Sequence, residues 1–257
     1  MNKLYCGDCV DVMSSMESEI IDLTVTSPPY DNLRTYNGYT FDFENIAKQL
    51  FRITKDGGVV VWVVGDQTKD GDESGTSFRQ ALYFKEIGFK LFDTMIYQKP
   101  RRPLGNYYYQ TFEYMFIFTK GKIKTTNLIH DEKNLSYGKK VTKTLKQNGE
   151  RYKSNGTRTV GETHARRGNV WYYATGGSTT KDKIAFQHPA IFPEKLAEDH
   201  ILSWTNPNDL VFDPMCGSGT TGKMALKHNR KFIGVDISEE YIEIARQRLN
   251  SLQKRFL

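Results

Sequence analysis

The chain has 257 residues, a hydrophobic content of 38%, a mean hydropathy of −0.58 and a formal net charge of +6. This length suits one large domain, or a domain with an insertion, and it suffices to bury a substantial core. No apolar run approaches the roughly 18 residues that a membrane helix needs, and the N-terminus lacks the apolar stretch of a signal peptide, so we expect a soluble cytoplasmic protein without a membrane partner.

Apolar patterning predicts strands that alternate with helices. In chain order the predicted elements are a strand over 20–26, a helix over 43–53, a strand over 59–64, a helix over 78–87, strands over 91–97 and 114–119, a helix over 194–203, a strand over 210–212, a helix over 218–227, a strand over 232–235 and a helix over 238–252. Pro193 is predicted as the first residue of its helix, and Ser238 as an N-cap. The run 59–64 is nearly all valine, which is typical of a strand buried on both faces of a parallel sheet. The alternation predicts a doubly wound α/β fold with a mostly parallel sheet.

A basic block interrupts this pattern at residues 121–170. It holds twelve Lys and Arg against four Asp and Glu, a charge of +8, whereas the rest of the chain holds 24 bases against 26 acids. Such a split is typical of a region that binds a polyanion, although a solvated, partly disordered insertion has the same composition. Aromatic residues flank the block, at 107–109 and 171–173, where they would either stack on bases or pack. The predicted nucleic-acid contacts are Arg101, Arg102, Lys139, Lys140, Lys143, Lys146, Arg166 and Arg167.

The three cysteines offer no disulfide framework, which suits a reducing cytoplasm. Cys6 and Cys9 form a C-x-x-C pair. A zinc site needs more ligands than the neighbouring sequence provides, because His130 and His164 are far away along the chain. We therefore predict no metal site.

Residues 217–222, Gly-Ser-Gly-Thr-Thr-Gly, match the glycine pattern of dinucleotide-binding loops, and they lie between a predicted strand and a predicted helix. Asp236 ends the next predicted strand, where it would accept the ribose hydroxyls of a nucleotide cofactor. NAD therefore competes with S-adenosyl-L-methionine (SAM). Asp213 precedes the loop, where it would repel a pyrophosphate but would suit the cationic aminoacyl end of SAM.

The larger pattern resembles the amino-DNA methyltransferases, the N4-cytosine and N6-adenine family. The similar segments are residues 213–221, 234–238 and 241–245 for SAM binding, 27–30 for the catalytic loop, 188–193 for the segment that packs on the methionine moiety, and 7–8 for the acid that reads the adenine. The resemblance covers about residues 1–120 and 169–257, and the order of its halves is that of the permuted β-group.

This resemblance implies a catalytic half at 1–120, a target-recognition insertion at 121–170 and a SAM-binding half at 171–257. It implies SAM as the cofactor and double-stranded DNA as the partner; a homodimer and a cognate restriction endonuclease are further expected partners. The implied cofactor contacts are Asp8, Pro189, Phe192, Asp213, Pro214, Cys216, Gly217, Ser218, Gly219, Thr220, Thr221 and Asp236.

The loop Ser27-Pro28-Pro29-Tyr30 suits methyl transfer to an exocyclic amine. A base amine is a poor nucleophile because its lone pair is delocalised into the ring, and an acceptor for its N–H localises that pair. Ser27 Oγ and the Pro28 carbonyl are the predicted acceptors, the two prolines fix the backbone, and Tyr30 is predicted to stack on a flipped base. A Pro-Pro turn beside a core tyrosine would explain the motif by itself; the SAM-type loop in the same chain favours the catalytic interpretation.

The sequence thus predicts a DNA methyltransferase. Serine in the first loop position resembles the N4-cytosine group, so cytosine N4 is the preferred target and adenine N6 the alternative. Carbon-5 methylation would need an attacking thiolate, whereas Cys216 is predicted only to pack. The rival interpretations are a catalytically silent DNA-binding protein of the same fold and a methyltransferase that acts on RNA or protein amines.

Overall fold

The computed structural model describes residues 2–29, 41–102, 108–145, 151–180, 182–188 and 191–253. The predicted site residues Tyr30, Lys146 and Pro189 lie outside these ranges. Contacts divide the chain into two compact units: Met1–Asn127 together with Asn169–Leu257, and Leu128–Gly168. Within the described ranges, no helix is both long and apolar enough to span a bilayer.

The described elements alternate as the sequence predicts, with additional strands. The strands are β1 (Asn2–Cys6), β2 (Ile21–Thr26), β3 (Thr54–Val64), β4 (Thr68–Lys69), β5 (Asp72–Glu73), β6 (Lys90–Arg102), β7 (Gln110–Thr119), β8 (His130–Lys133), β9 (Lys140–Leu145), β10 (Arg151–Thr159), β11 (His164–Arg166), β12 (Val170–Tyr172), β13 (Leu210–Asp213) and β14 (Lys231–Asp236). The α-helices are α1 (Cys9–Ser14), α2 (Phe43–Ile53), α3 (Thr76–Glu86), α4 (Glu194–Trp204), α5 (Thr220–Lys227) and α6 (Glu239–Gln253), and two short 3₁₀ helices cover Gly176–Ser178 and Lys183–Gln187.

One eight-stranded sheet organises the larger unit. Its order is β1-β14-β13-β2-β3-β7-β6-β12, and among these described strands only the pairs that involve β7 are antiparallel. The predicted α/β fold class with a mostly parallel sheet is confirmed. Because β1, β14, β13, β2 and β3 run in the same direction, their carboxyl ends meet at one edge, called here the carboxyl edge, and their amino ends at the opposite amino edge.

The core around β3 is aromatic and tightly packed. Residues 59–64 of β3 are at most 1% exposed, as predicted for a strand covered on both faces. The Trp62 indole donates to Gln80 Oε1 (2.8 Å), and its ring lies 5.2 Å from the ring of Phe84, which stacks on Phe118 at 4.5 Å. These ring contacts pack helix α3 tightly against β3 and β7.

Most predicted boundaries are close to the observed ones, and α2 has the predicted bounds. Helix α5 begins at Thr220 instead of 218, because Gly217 and Gly219 adopt left-handed φ angles of +48° and +74°. Pro193 is the N-cap of α4 and not its first helical residue. Strand β1 and helix α1 were not predicted at all.

The smaller unit consists of two antiparallel strand pairs, β8 with β11 and β9 with β10. The sequence predicted no elements here. The unit is shorter than the predicted insertion of 121–170, and it contains ten Lys and Arg against four Asp and Glu, a net charge of +6. The proposed roles of the three parts of the chain stay predictions.

Candidate functional site at the carboxyl edge

The catalytic-type loop and the cofactor-type loop start from neighbouring parallel strands. Strand β13 ends in Asp213 and pairs with β2, which ends in Thr26 immediately before Ser27. The Thr26 hydroxyl donates to Asp213 Oδ1 (2.8 Å), and the Thr221 hydroxyl donates to the Val25 carbonyl (3.3 Å). These side-chain contacts fix the starting points of the two loops relative to each other.

Asp213 is a buried carboxyl group that accepts hydrogen bonds from uncharged donors. It is 5% exposed, and its Oδ1 also accepts from the Met215 backbone N–H (3.2 Å). The pKa of Asp213 is raised to about 6, mainly by burial and further by nearby Asp236, although the bonds from Thr26, Thr221 and Met215 oppose this rise. A cationic group at this edge would stabilise the ionised form, which fits the charge of an aminoacyl end.

Three backbone N–H groups of the 213–221 loop donate to acceptors of the protein itself. The Cys216 N–H donates to the Val235 carbonyl (2.8 Å), the Gly217 N–H to Asp236 Oδ2 (2.8 Å) and the Gly219 N–H to the Cys216 carbonyl (2.7 Å). A pyrophosphate-binding loop uses backbone N–H groups to hold its ligand. These three groups are therefore not directed at a pyrophosphate, which disfavours NAD, the competing cofactor.

Two glycines of the loop are required by close packing as well as by their φ angles. A Cβ on Gly217 would lie 2.9 Å from His188 Nε2, and a Cβ on Gly219 would lie 2.8 Å from the Ala245 Cβ. These distances are too short for any side chain. The neighbouring predicted residues Pro214, Ser218, Thr220 and Thr221 are all buried with the loop.

Asp236 joins the loop to the end of β14. Its Oδ2 accepts from Gly217, its Oδ1 accepts from the Ser238 N–H (3.0 Å), and its carbonyl accepts from the Gly7 N–H (2.9 Å). Burial raises the pKa of Asp236, while the bonds from Ser238 and Gly217 lower it. A carboxylate has about four lone-pair sites, so each oxygen can accept a further bond from a ribose hydroxyl.

Asp8 follows β1, beside Asp236, but the structure gives it a second role. Its Oδ1 accepts from the backbone N–H groups of Val10 (2.7 Å) and Asp11 (3.2 Å), so Asp8 is the N-cap of α1. The side chain is exposed. The predicted contact with a cofactor adenine stays a prediction.

The described residues 182–188 and 191–194, called here the 182–194 segment, approach the loop through His188. The imidazole is 8% exposed, and its ring lies 4.2 Å from the ring of Tyr241 in an edge-on contact. Phe192, from the same segment, is half-buried just before α4. The sequence had indicated residues 188–193 but had not singled out His188; the side-chain crowding at Gly217 is the structural signal that does.

The described part of the catalytic-type loop continues directly from β2. Ser27 and Pro29 are half-buried and Pro28 is buried. The structure thus places Ser27 one residue from the Thr26–Asp213 hydrogen bond. Thr26 is a site residue that the sequence analysis missed, because nothing in its local sequence distinguishes it from an ordinary strand threonine.

Burial disfavours the thiolate form of two of the three cysteines. Burial raises the pKa of Cys216 well above its ordinary value, and burial followed by the charge of Asp8 raises the pKa of Cys9 to about 12. Cys6 is exposed. Among the residues that the structure describes, no group of three or more His, Cys, Asp or Glu is arranged to hold a metal ion.

Seven of the eight predicted DNA contacts fall into three groups, and the eighth, Lys146, lies outside the described residues. In the smaller unit, Lys139, Lys140 and Arg166 are exposed. Arg167 forms an ion pair with Asp131, with Nε donating to Oδ1 (3.0 Å), so its charge is already compensated. The remaining residues are placed by backbone alone: Lys143 is in β9, and Arg101 and Arg102 end β6.

The flanking aromatic residues divide between packing and exposure. Trp171 and Tyr173 are 6% and 7% exposed, whereas Tyr108, Tyr109 and Tyr172 are 100%, 53% and 61% exposed. The buried pair packs in the core, which is one of the two explanations that the sequence offered. Stacking of the three exposed tyrosines on bases stays a prediction.

Sequence comparisons identify relatives along nearly the whole chain. The DNA methylase family matches residues 21–247. The orphan methyltransferase M.BamHII of Bacillus amyloliquefaciens is 61% identical over 251 residues, which are 95% of this chain and 91% of that protein. The type II methyltransferase M.BglII of Bacillus subtilis is 27% identical over 273 residues, which cover 97% of this chain and 69% of that protein.

Solved structures share the fold. The PvuII DNA methyltransferase (cytosine-N4-specific) superposes with a TM-score of 0.72 at 22% identity, over 96% of this chain and 86% of that one. The M1.HpyAVI–SAM complex has a TM-score of 0.63 at 23% identity, over 97% of this chain and 100% of that one. At such identities these structures support the shared architecture.

Proposed function

The chain belongs to the DNA methylase family, and we propose that it transfers a methyl group from SAM to an exocyclic amine of a base in double-stranded DNA, with cytosine N4 as the target. The observation that carries this proposal is the hydrogen bond between Thr26 and Asp213. It joins the strand that leads into Ser27 to the strand that leads into the glycine loop. A base and a cofactor held by these loops would meet at one edge of the sheet.

The residues of the carboxyl edge fit SAM. Asp236 has lone pairs for the two ribose hydroxyls, and Asp213 has a buried carboxyl group whose ionised form a cationic aminoacyl group would stabilise. SAM supplies an electrophilic methyl group on a positively charged sulfur. His188 and Phe192 would cover the methionine side of the site from the 182–194 segment.

Ser27 and the Pro28 carbonyl would act on the target amine. Each accepts a hydrogen bond from an N–H, which localises the nitrogen lone pair for in-line attack on the methyl carbon. The N–CH3 bond would form as the S–CH3 bond breaks, so that SAM leaves as S-adenosylhomocysteine. The positively charged amine would then lose one N–H proton to solvent water, because the neutral Ser27 hydroxyl accepts a hydrogen bond but is too weak a base to keep the proton. No covalent bond between the protein and the base is needed. The high pKa values of Cys216 and Cys9 are consistent with this direct route.

The smaller unit would contact the DNA backbone. Its net charge of +6 includes the exposed Lys139, Lys140 and Arg166, which are suited to phosphate contacts. Arg167 contributes less, since Asp131 compensates its charge. A homodimer and a cognate restriction endonuclease stay predictions.

Cytosine N4 is preferred over adenine N6 because of Ser27. A neutral hydroxyl at this position resembles the N4-cytosine group. Both amines present the same N–H geometry once the base is flipped, so the choice rests on resemblance and needs a direct test.

Mass spectrometry of nucleosides provides that test. The parent protein, Ser27→Ala and Ser15→Ala are each expressed in a host whose DNA has no amino-methylated bases, and the DNA is then digested. Ser15→Ala is the control, because the exposed Ser15 hydroxyl donates to the Val12 carbonyl at the end of α1. We expect N4-methylcytosine with the parent and with Ser15→Ala. Ser27→Ala should lower the turnover by about 10²- to 10³-fold, the usual effect of one lost electrostatic contact in a transition state.

The possible products separate the alternatives. N6-methyladenine alone would contradict the cytosine assignment and leave the amine mechanism intact. Carbon-5 methylcytosine would contradict both. DNA without any methylated base, together with measurable DNA binding by the purified protein, would support a catalytically silent DNA-binding protein.

A further inference from the structure

Arg248 of α6 is a buried charge that the chemistry described above does not use. Its side chain is fully buried. The guanidinium donates to the Ser218 carbonyl (2.5 Å), to the Ser218 hydroxyl (3.0 Å) and to the Thr220 hydroxyl (3.0 Å). All three bonds come from one nitrogen, Nη1, whose two N–H groups are shared among these oxygens of the glycine loop. An arginine that is removed from water to this extent is costly unless every donor finds a partner.

The counter-charges come from the two ends of the 182–194 segment. Arg248 Nε donates to Asp182 Oδ2 (2.9 Å), and Arg248 Nη2 donates to Glu194 Oε1 (3.0 Å). Lys223 of α5 contacts the same two oxygens, at 3.1 and 2.7 Å. Although burial opposes ionisation of Asp182, the bonds from Arg248 and Lys223 hold its pKa below the ordinary value. The network therefore ties both ends of the segment to the helices that follow the loop.

One face of α6 bears directly on the same region. Tyr241, Ala245 and Arg248 are spaced by four and three residues, so they share a helix face. Tyr241 contacts the ring of His188, Ala245 abuts Gly219, and Arg248 binds Ser218. Each of the three contacts thus touches either the loop or the segment that lies against it.

We infer that Arg248 is a positioning residue for the cofactor: it sets the backbone of residues 217–220 and, through Asp182 and Glu194, holds the 182–194 segment against that backbone. This inference rests on the proposed assignment of the glycine loop to SAM. It predicts an effect on SAM affinity that goes beyond the effect of a buried arginine on stability. Lysine cannot replace it, because an ammonium lacks the planar fork that reaches the loop and both carboxylates at once.

A matched control exists in the same unit. Arg230 is 8% exposed and donates to the Thr205 carbonyl (2.7 Å), to the Thr205 hydroxyl (2.9 Å) and to the His228 carbonyl (2.6 Å). It directly precedes β14 and therefore lies at the amino edge. Arg230→Lys removes a buried guanidinium fork of the same kind without touching the loop.

Calorimetric titration with SAM, thermal unfolding without SAM, and steady-state kinetics compare the parent, Arg248→Lys and Arg230→Lys. We expect Arg248→Lys to weaken SAM binding by about 10- to 100-fold, the range that corresponds to one lost charged hydrogen bond. The KM for SAM should rise in parallel, while kcat at saturating SAM and the KM for DNA should equal those of the parent. Arg230→Lys should lower the thermal midpoint and keep the SAM affinity of the parent.

The outcomes are distinguishable. If both arginine variants lose thermal stability and both retain the SAM affinity of the parent, Arg248 is a structural residue and the inference is overturned, while SAM binding by the parent leaves the proposed function standing. A parent that does not bind SAM overturns the proposed function itself. If Arg248→Lys does not fold, Glu194→Gln is the second variant; it should also weaken SAM binding, and an unchanged affinity would likewise overturn the inference.

Discussion

The two edges of the central sheet differ in the groups that hold their acidic side chains. At the amino edge, Lys55 Nζ donates to both carboxylate oxygens of Asp22 (2.7 and 2.8 Å), and the Leu210 N–H adds a third bond (2.8 Å). At the carboxyl edge, Asp213 is deeply buried and receives its bonds from hydroxyl and backbone groups, and burial raises its pKa to about 6. The first acid has a cationic partner within the fold, and the second has only neutral donors among the contacts described.

This difference separates structural charge from functional charge. A carboxylate paired inside the fold contributes to stability at neutral pH, whereas a buried carboxylate held by neutral groups costs stability there. A fold tolerates that cost where a ligand supplies the missing charge. We therefore interpret the carboxyl edge as the place where a cationic ligand binds. At the amino edge, the protein's own Lys55 supplies the positive charge.

Asp213→Asn should produce the largest effect on stability. The folded-state pKa of about 6 lies above the ordinary value of 3.8, so ionisation opposes folding: the contribution of Asp213 worsens as the pH rises from about 4 to about 6 and stays unfavourable above that. Over this window the parent should lose about 3 kcal/mol that Asp213→Asn does not lose, because the amide keeps the acceptor for Thr26. Urea unfolding of both proteins without SAM, from pH 4 to pH 8, measures this difference. If the free energies of unfolding of the two proteins change with pH in parallel, ionised Asp213 does not destabilise the fold, and the interpretation of the carboxyl edge is contradicted.

Lys55→Met should change stability less than Asp213→Asn does, and it should destabilise the protein, because it removes a favourable ion pair. The Asp22–Lys55 pair is partly exposed, with 21% and 40% of the side chains accessible, so its loss should lower the free energy of unfolding at pH 7 by about 1 kcal/mol. SAM affinity should not change. A weakened SAM affinity, with stability intact, would mean that the two edges are not functionally distinct.

The smallest expected effect concerns DNA binding by the exposed lysines of the smaller unit. Replacing Lys139 and Lys140 together by Ala should weaken duplex binding and reduce the slope of log affinity against log salt by about 2, since each lysine that contacts a phosphate contributes about 0.9. Lys85 and Lys231 are exposed on the larger unit, so their joint replacement is a control with the same change in net charge. Equal losses of DNA affinity in the two pairs would show that only net charge matters.

The sequence predicted those parts of the fold whose signal is local. Helix α2 has an amphipathic pattern and clear ends, and the valine run in β3 matches a strand covered on both faces. Strand β1 has no such signal: its residues are exposed or half-buried, and it is held by pairing with β14, about 230 positions away. Strands β9 and β10 of the smaller unit escaped prediction because Lys, Arg and Thr make up most of their residues and leave no apolar alternation.

The candidate site likewise combines residues that a local motif predicts with residues that meet only through contacts distant in sequence. The glycine loop, Asp213 and Asp236 follow from a motif with fixed spacing. The residues that hold the motif in place do not, because Arg248 meets Asp182, Glu194 and Ser218 only after the chain has folded. A buried arginine in a helix has no sequence signature that separates it from an exposed one.

The most direct test of the difference between the edges is a calorimetric titration of SAM into Asp236→Ala and, in parallel, into Asp22→Ala. Both changes remove a carboxylate that accepts a backbone N–H, one at each edge. We predict that Asp236→Ala weakens SAM binding by roughly 1.5–3 kcal/mol, the usual contribution of hydrogen bonds to a charged group, whereas Asp22→Ala binds SAM as the parent does. Unchanged SAM affinity in Asp236→Ala, or equal losses in both variants, would contradict the assignment of the cofactor to the carboxyl edge.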